Sequence, residues 1–369
     1  MSPPPAILAL GDRFKRWLLE RALPIWWDRG ADRAGGGFHD RLDLTGRPIL
    51  GVKRARVAAR QVFSYAVAGE LDWSGPWQEA MDHGLAFLER GHRRADGLYS
   101  AFGGSGDDRV DLYDQAFVLL ALASAAVNGD REAQTKAAAL LALLPREPAG
   151  GFASLNDAPL DANPNMHLFE AFLAWTGAEP SGPWRDLAAG QASLALTRLI
   201  DPASGAQSER FGAGWTAPPE AERVVEPGHQ LEWAWLLLRW NLVSGDMAAF
   251  AAAMRLIELA ERCGVDTARN VSVNALNGDL KVIDSGTRMW PQTERLRVVL
   301  LAGALTGDAS FWDMALDAAA GLESFLDVPT PGLWRDSLET DDLSAPASSL
   351  YHVVGAIRQL DAVADGRPA

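Results

Sequence analysis

Apolar residues recur at spacings of three and four along most of the chain, as in FVLLALASAAV (117–127) and HQLEWAWLLLRW (229–240), while alternating β-branched runs of strand length are scarce. This pattern predicts an all-α chain with helices over 5–27, 52–69, 75–91, 111–127, 130–144, 163–176, 183–200, 226–243, 246–262, 285–306, 308–326 and 344–362. The connections alternate in length. GGGFHDRLDLTG, DGLYSAFGGSG, GGFASLNDAP, ASGAQSERFGAG, NALNGDLKV and PGLWRDSLETDD are long, whereas NGD, SGD and TGD are tight. Gly37, Gly97, Gly151, Gly205, Gly278 and Gly332 mark the long loops and fall 54 to 73 residues apart, a period that predicts six repeated helical hairpins. Six hairpins can stack as an open solenoid or close into a ring of six inner and six outer helices. The ring is favoured, because a solenoid would show more uniform repeats and polar terminal caps.

Composition narrows the function. The 369 residues are 48% apolar, enough for one large continuous core, so a single domain over 1–369 is expected. A net charge of −14 with no basic stripe argues against nucleic acid as a partner. The start MSPPPAILALGDRFKRWLLE lacks the n-region and cleavage site of an export signal, and the longest apolar run is too short for a membrane span. With a lone Cys263 excluding an internal disulfide, a cytoplasmic protein is expected, without membrane contact and with a homodimer left open.

The even-numbered helices, each entered from a long loop, hold nearly every polar residue that sits awkwardly in an apolar segment. These are Arg60, Tyr113, Asp114, Asn163, His167, Glu170, His229, Glu232, Glu294 and His352, with Trp290 beside them, all in the first two or three turns. In a ring, parallel inner helices would bring these ends to one mouth. Six helix dipoles would point their positive ends there and favour a developing anion by up to about 1 kcal/mol per exposed terminus. Each residue also has a plainer explanation: Arg60 as an ion pair at the core edge, the His–Glu pairs as helix-surface contacts, Tyr113 and Trp290 as packing, Asp114 as a brace. Joint placement favours chemistry, since three of only six histidines lie at equivalent depths in three even helices. His39, His83 and His92 read as solvated.

Several chemistries fall away. His precedes Glu at a spacing of three, the reverse of the Glu-x-x-His order of carboxylate-bridged iron helices, and neither HExxH nor a Cys/His cluster occurs, so no metal or other cofactor is expected. A nucleophile elbow and a phosphate-binding GxxxxGK[ST] loop are also absent. Two carboxylates flanking a sugar, Glu232 with Glu294 or Asp114, would suit a glycoside hydrolase. Imidazoles at two helix starts instead suit proton shuttling near neutral pH, as in moving a proton between adjacent sugar carbons. A non-catalytic sugar-binding barrel is a third alternative, which the histidine pair argues against.

GGGFHDRLD, AARQVFSYA, YDQAFVLLA, NMHLFEAFL, EPGHQLEWAWLL, WPQTE and YH, in that order over about 35–356, resemble the N-acylglucosamine 2-epimerase superfamily, which includes mannose isomerases and cellobiose 2-epimerases. The resemblance implies an (α/α)6 barrel. It implies that Arg60 holds a substrate oxygen, that His229 and His352 are the acid/base pair, that Glu232 assists His229, and that His167, Asn163 and Glu294 contact ring hydroxyls or aid ring opening. Glu232 should then raise the pKa of His229, while His352, with no glutamate three residues on, takes the C2 proton. Where many members have two adjacent tryptophans before PQ-x-E, this chain has Met289 then Trp290, which argues against a disaccharide and for a free or phosphorylated monosaccharide. GVKRARVAARQVFSYA is most similar to bacterial mannose or mannose-6-phosphate isomerases, so mannose–fructose isomerisation is expected first, with 2-epimerisation of an N-acylated or related sugar as the alternative. Lys53, Arg54, Arg56, Arg223 and Arg288 are candidates for holding a phosphate.

Overall fold

The computed structural model describes residues 3–103, 106–156, 159–340 and 342–367, so parts of the loops over 96–106, 150–159 and 331–342 lie outside it. Twelve helical segments follow one another among the described residues. They are α1 (5–30), α2 (Ala55–Glu70), α3 (Trp77–Phe87, prolonged over Leu88–His92), α4 (Leu112–Val127), α5 (Ala133–Leu143), α6 (Ala162–Ala178), α7 (Trp184–Leu194, prolonged over Ala195–Leu199), α8 (Pro227–Ser244), α9 (Met247–Gly264), α10 (Met289–Thr306), α11 (Ser310–Leu326) and α12 (Leu350–Ala364). Burial separates the two sets. Outer helices keep one apolar stripe, as in α9, where Ala249, Ala252, Ala253, Leu256, Ile257 and Ala260 are buried at i, i+3, i+4, i+7, i+8 and i+11. Inner helices are buried on all sides: in α2, Val57 through Ala68 are all inside.

The ring closes. Neighbouring even helices pack in the order α2, α4, α6, α8, α10, α12 and back to α2, while each odd helix packs on the outside, α1 covering α12. The even helices therefore run parallel, and their N-terminal ends share one mouth.

Short antiparallel strands, unforeseen in the all-α reading because each is only two or three residues long, steer the chain into the inner helices. Lys53–Arg54 pairs with Phe102–Gly103 before α2, Leu160–Asp161 with Arg210–Phe211 before α6, Val224–Val225 with Ala275–Asn277 before α8, and Ser344–Pro346 with Arg41–Asp43 before α12. This is why α2 starts at Ala55 rather than 52 and α12 at Leu350 rather than 344. Five of the six loop glycines take positive φ (Gly332 at +98°), which favours glycine. Gly278 does not, and answers to space instead: a Cβ there would lie 2.4 Å from the Glu220 carbonyl oxygen.

A second repeated device fixes helix rotation. In the first turn or two of four inner helices a buried amide side chain grips the backbone of the loop leading into that helix, accepting from an N–H and donating to the C=O of one residue. Gln115 grips Tyr99, Asn165 grips Phe152, Gln230 grips Gln207 and Gln292 grips Ser272, at 2.7–3.1 Å. Each clamp satisfies two buried backbone groups that would otherwise go unpaired.

Candidate active site

With its amide turned to the loop, each clamped helix presents to the ring axis the residue two before the clamp, or one before it on α8, and the residue two after it, which lie four or three apart and so share a face. The positions hold Tyr113 on α4, Asn163 and His167 on α6, His229 and Glu232 on α8, and Trp290 and Glu294 on α10. Arg60 of α2 and His352 of α12 complete the circle. A cavity of about 310 Å³ opens at the mouth, lined by Arg60, Tyr113, Asn163, His167, His229, Glu232, Trp290 and His352, with Arg41, Arg54, Glu226, Arg288 and Asp336 at its rim. That is near the lower end for ligand cavities, about 300–1,000 Å³.

The two lining imidazoles of α8 and α12 flank Trp290, whose ring centroid lies 5.0 Å from that of His229 and 5.3 Å from that of His352. Their charge states are opposed. His229 Nδ1 lies 2.7 Å from Glu209 Oε2 and 3.7 Å from Glu226. Burial alone would lower its pKa, but Glu209, then Glu226 and Glu232, outweigh this and push it up to about 10, so His229 is an imidazolium at neutral pH. His352 Nδ1 lies 2.8 Å from Glu294 Oε1. Burial, with Arg60 and Arg297 nearby, holds its pKa well below the ordinary value, so it is neutral. Arg60 is buried without a carboxylate partner among the described residues. It donates to the Tyr113 hydroxyl at 2.6 Å and lies over the Phe117 ring, leaving its charge directed at the cavity.

At the cavity floor Glu232 and His167 meet Glu170, Glu294, Tyr351 and Arg297, which lie beneath it. Glu170 accepts from the Tyr351 hydroxyl and lies 3.4 Å from His167 Nδ1; although burial opposes it, these contacts and Arg297 hold its pKa down at about 2. Burial and the neighbouring Glu294 and Glu170 push the pKa of Glu232 well above its ordinary value, and its Oε1 is buried without a hydrogen bond. Among the described residues three sets bring potential metal-ligand atoms within 4.8 Å of one another: His167–Glu170–Glu232, Glu209–Glu226–His229 and Glu232–Glu294–His352.

Several expectations need correction. Glu232 faces the cavity as foreseen but is not the carboxylate on His229 Nδ1; that is Glu209, missed because an acid in a polar loop carries no periodic signal. His352 does have a carboxylate, Glu294, supplied by the neighbouring helix. Asp114 is fully buried outside the cavity and binds the backbone and guanidinium of Arg56 at 2.9–3.1 Å, the brace it was weighed against. Glu170 and Glu294 lie behind the cavity wall rather than in it. Met289 is in the core. His92 is buried, with Nδ1 2.8 Å from the Ser100 carbonyl oxygen, and His83 packs edge-on against Trp27 and Phe38, so neither is solvated; His39 is half-buried. Of the cations considered for phosphate, Arg54 and Arg288 reach the rim, joined by Arg41, while Lys53, Arg56 and Arg223 are held by Asp32, Asp114 and Asp201 away from it.

A closed double ring of helices around a polar cavity lined by one charged and two neutral imidazoles is the architecture of an enzyme acting on a small polar molecule, and the relatives narrow this to a sugar isomerase or epimerase. The sequence pattern of the N-acylglucosamine 2-epimerase (GlcNAc 2-epimerase) family matches residues 36–356, and the chain belongs to that family. It is 41% identical to a mannose-6-phosphate isomerase of Rhizobium meliloti (strain 1021), covering 94% of this chain and 95% of that one. It is 29% identical to a D-mannose isomerase of Thermobifida fusca, over 86% and 91%. Its fold matches a crystal structure of D-mannose isomerase with a TM-score of 0.87 at 23% identity, over 94% of this chain and 97% of that one. No described helix is long and apolar enough to cross a membrane.

Proposed function

We propose that the protein is an aldose–ketose isomerase that interconverts D-mannose and D-fructose through a cis-enediol, with His352 as base and His229 as acid. The observation carrying this reading is the pair of imidazoles flanking Trp290, each with Nδ1 on a carboxylate but one protonated and the other neutral, because a base must start neutral and an acid protonated. His229 protonates the ring oxygen as the C1–O5 bond breaks, the O1 hydroxyl gives its proton to solvent, and His229 is reprotonated from solvent. His352 Nε2 then takes the C2 proton while Arg60 and Tyr113 hold the developing oxyanion on O1 until His229 protonates it. His229 takes the O2 proton as His352, its own proton exchanging with solvent, delivers a proton to C1 on the same face. The carboxylate–histidine clusters serve here as hydrogen-bonded dyads, and no step uses a metal.

Proton NMR of the purified protein with mannose, fructose, mannose-6-phosphate and N-acetylmannosamine in D2O tests the proposal. Fructose with deuterium at C1 is expected from mannose, whereas a C2 epimer labelled at C2 would replace isomerisation with epimerisation. Arg41, Arg54 and Arg288 at the rim, together with the name of the Rhizobium relative, favour a second reading in which the sugar carries a phosphate. Each of these arginines is already paired, with Asp342, Asp40 and Glu226 respectively, so a phosphate would have to displace carboxylates, which keeps the free sugar first.

A further inference from the structure

Arg297 on α10 is buried under the cavity floor and lines none of the cavity. Its guanidinium carbon lies 3.3 Å from the ring centroid of Trp235. The slot it occupies exists because residue 355 is glycine: a Cβ there would sit 3.2 Å from that same carbon. An ion so far from water is costly unless its charge is used. Its nitrogens face two carboxylates, Glu294 Oε2 at 3.4 Å and Glu170 Oε1 at 3.6 Å. The other oxygen of Glu294 is the one that meets His352 Nδ1. One carboxylate therefore spans the buried cation and the imidazole assigned as base.

We propose that Arg297 is a positioning residue: by holding Glu294 as a carboxylate beneath His352, it keeps the proton of the imidazole on Nδ1 and the lone pair of Nε2 turned to the sugar. The inference rests on the reading of His352 as base. The chemistry is that of tautomers. Ionised Glu294 accepts from Nδ1–H and leaves Nε2 free. Protonated Glu294 donates to Nδ1 instead, the imidazole proton then sits on Nε2, and the ring is no base toward the cavity.

The surroundings push Glu294 toward its useless form. Burial and the anion of Glu170 raise its pKa to about 7, against which Arg297 is the chief opposing charge. The groups around it are Arg297 on its own helix, Glu170 and His167 from α6, Glu232 from α8, and Tyr351 and His352 from α12. Arg60 of α2 acts on His352, and Arg239 of α8 is a further buried cation near Glu170 and Arg297. Arg297 also disfavours a proton on His352 itself, so its removal lets the Glu294–His352 pair take up a proton at higher pH whichever partner holds it.

The test is the pH titration of the His352 ring nitrogens by 15N NMR in the ligand-free protein, alongside the acid limb of the rate of C2 deuterium exchange. In Arg297→Met the midpoint is expected to rise by about one pH unit or more, and the acid limb with it, the scale of an opposite charge at this range. In Arg297→Met/Glu170→Gln, which loses a cation and an anion together, both return toward wild type. A purely structural Arg297 would lower turnover at every pH and leave the midpoint in place, and an unmoved midpoint overturns the proposal. Should the single variant fail to fold, Glu170→Gln is compared with the double variant: a higher midpoint in the double supports the role, and equal midpoints refute it. Failure of the isomerase reading would show separately, as wild-type protein that turns over no sugar while its histidine titrations remain measurable.

Discussion

Glu209 sets what His229 can do, and its effect is separable from that of Glu232. An acid catalyst works in its protonated form, so a pKa raised to about 10 keeps His229 competent until pH rises through that value. Replacing Glu209 by Gln removes the largest raising contribution, and the alkaline limb of kcat/KM is expected to fall by more than one pH unit. Glu232→Gln, which removes only the weakest of the three raising carboxylates, should leave that limb within a few tenths of a unit; equal shifts in the two variants would return the role to Glu232. On the other side of Trp290, His352→Asn is expected to cost about 10²–10⁴ in C2 exchange, the usual weight of general acid–base help, while ring opening stays measurable. Exchange at the wild-type rate would transfer the base to His229. The i, i+3 spacing of His229 and Glu232 revealed that both face inward. It could not reveal that Nδ1 turns to a loop acid twenty residues upstream, because helix periodicity fixes the direction of Cβ and says nothing of what a folded loop brings opposite it.

At the scale of the element, the legible part was whatever repeats with helical period, and the illegible part was whatever is held by two or three residues. The twelve helices and their alternation of long and short links could be read because buried and amphipathic helices differ in how apolar residues recur. The strands at the mouth could not, since Lys53–Arg54 or Leu160–Asp161 is too short to alternate. The amides at 115, 165, 230 and 292 carry no charge or spacing that sets them apart in the sequence, although they are what turns their neighbours inward. Gln115 isolates this effect, because it lines no part of the cavity. Gln115→Ala strands the N–H and C=O of Tyr99 at about 1–3 kcal/mol for each group left unpaired. The expected outcome is a lower thermal midpoint with faster hydrogen exchange at the Tyr99 amide, together with a drop in kcat as Tyr113 loses its orientation. Unchanged exchange at Tyr99 would mean that the loop is held by its other contacts and that the clamp is incidental.

For the whole molecule, closure is the step on which everything else depends, since only a closed ring lets six helix ends face one cavity. The first and last hairpins achieve it together. Arg41–Asp43 pairs with Ser344–Pro346, Gln61 donates to the Ala347 carbonyl oxygen at 2.8 Å, Trp26 stacks on Trp334 at 5.1 Å, and Lys15 of α1 meets Asp361 of α12 at 2.6 Å. Inner and outer helices run in opposite directions, so α1 begins and α12 ends at the face opposite the mouth, close to one another, as the approach of Gly11 to Leu360 shows. A ring whose ends meet has no structurally privileged starting point. A short Gly/Ser linker from the end of α12 to the start of α1, with the chain reopened at Gly129 in the tight link between α4 and α5, should therefore preserve the fold. Gly129 sits at φ +96° with nothing within 4 Å of where a Cβ would be, and its link lies on the face away from the cavity. Circular dichroism and turnover of this permutant are expected to match the parent within a few-fold. Reopening instead between Gly212 and Ala213 cuts the mouth loop three residues beyond Glu209 and frees the strand Arg210–Phe211 that positions it. That permutant should keep its helices while its alkaline limb falls as in Glu209→Gln. If both permutants lose activity alike with their helices intact, the site depends on the continuity of the whole ring rather than on the loops of the mouth.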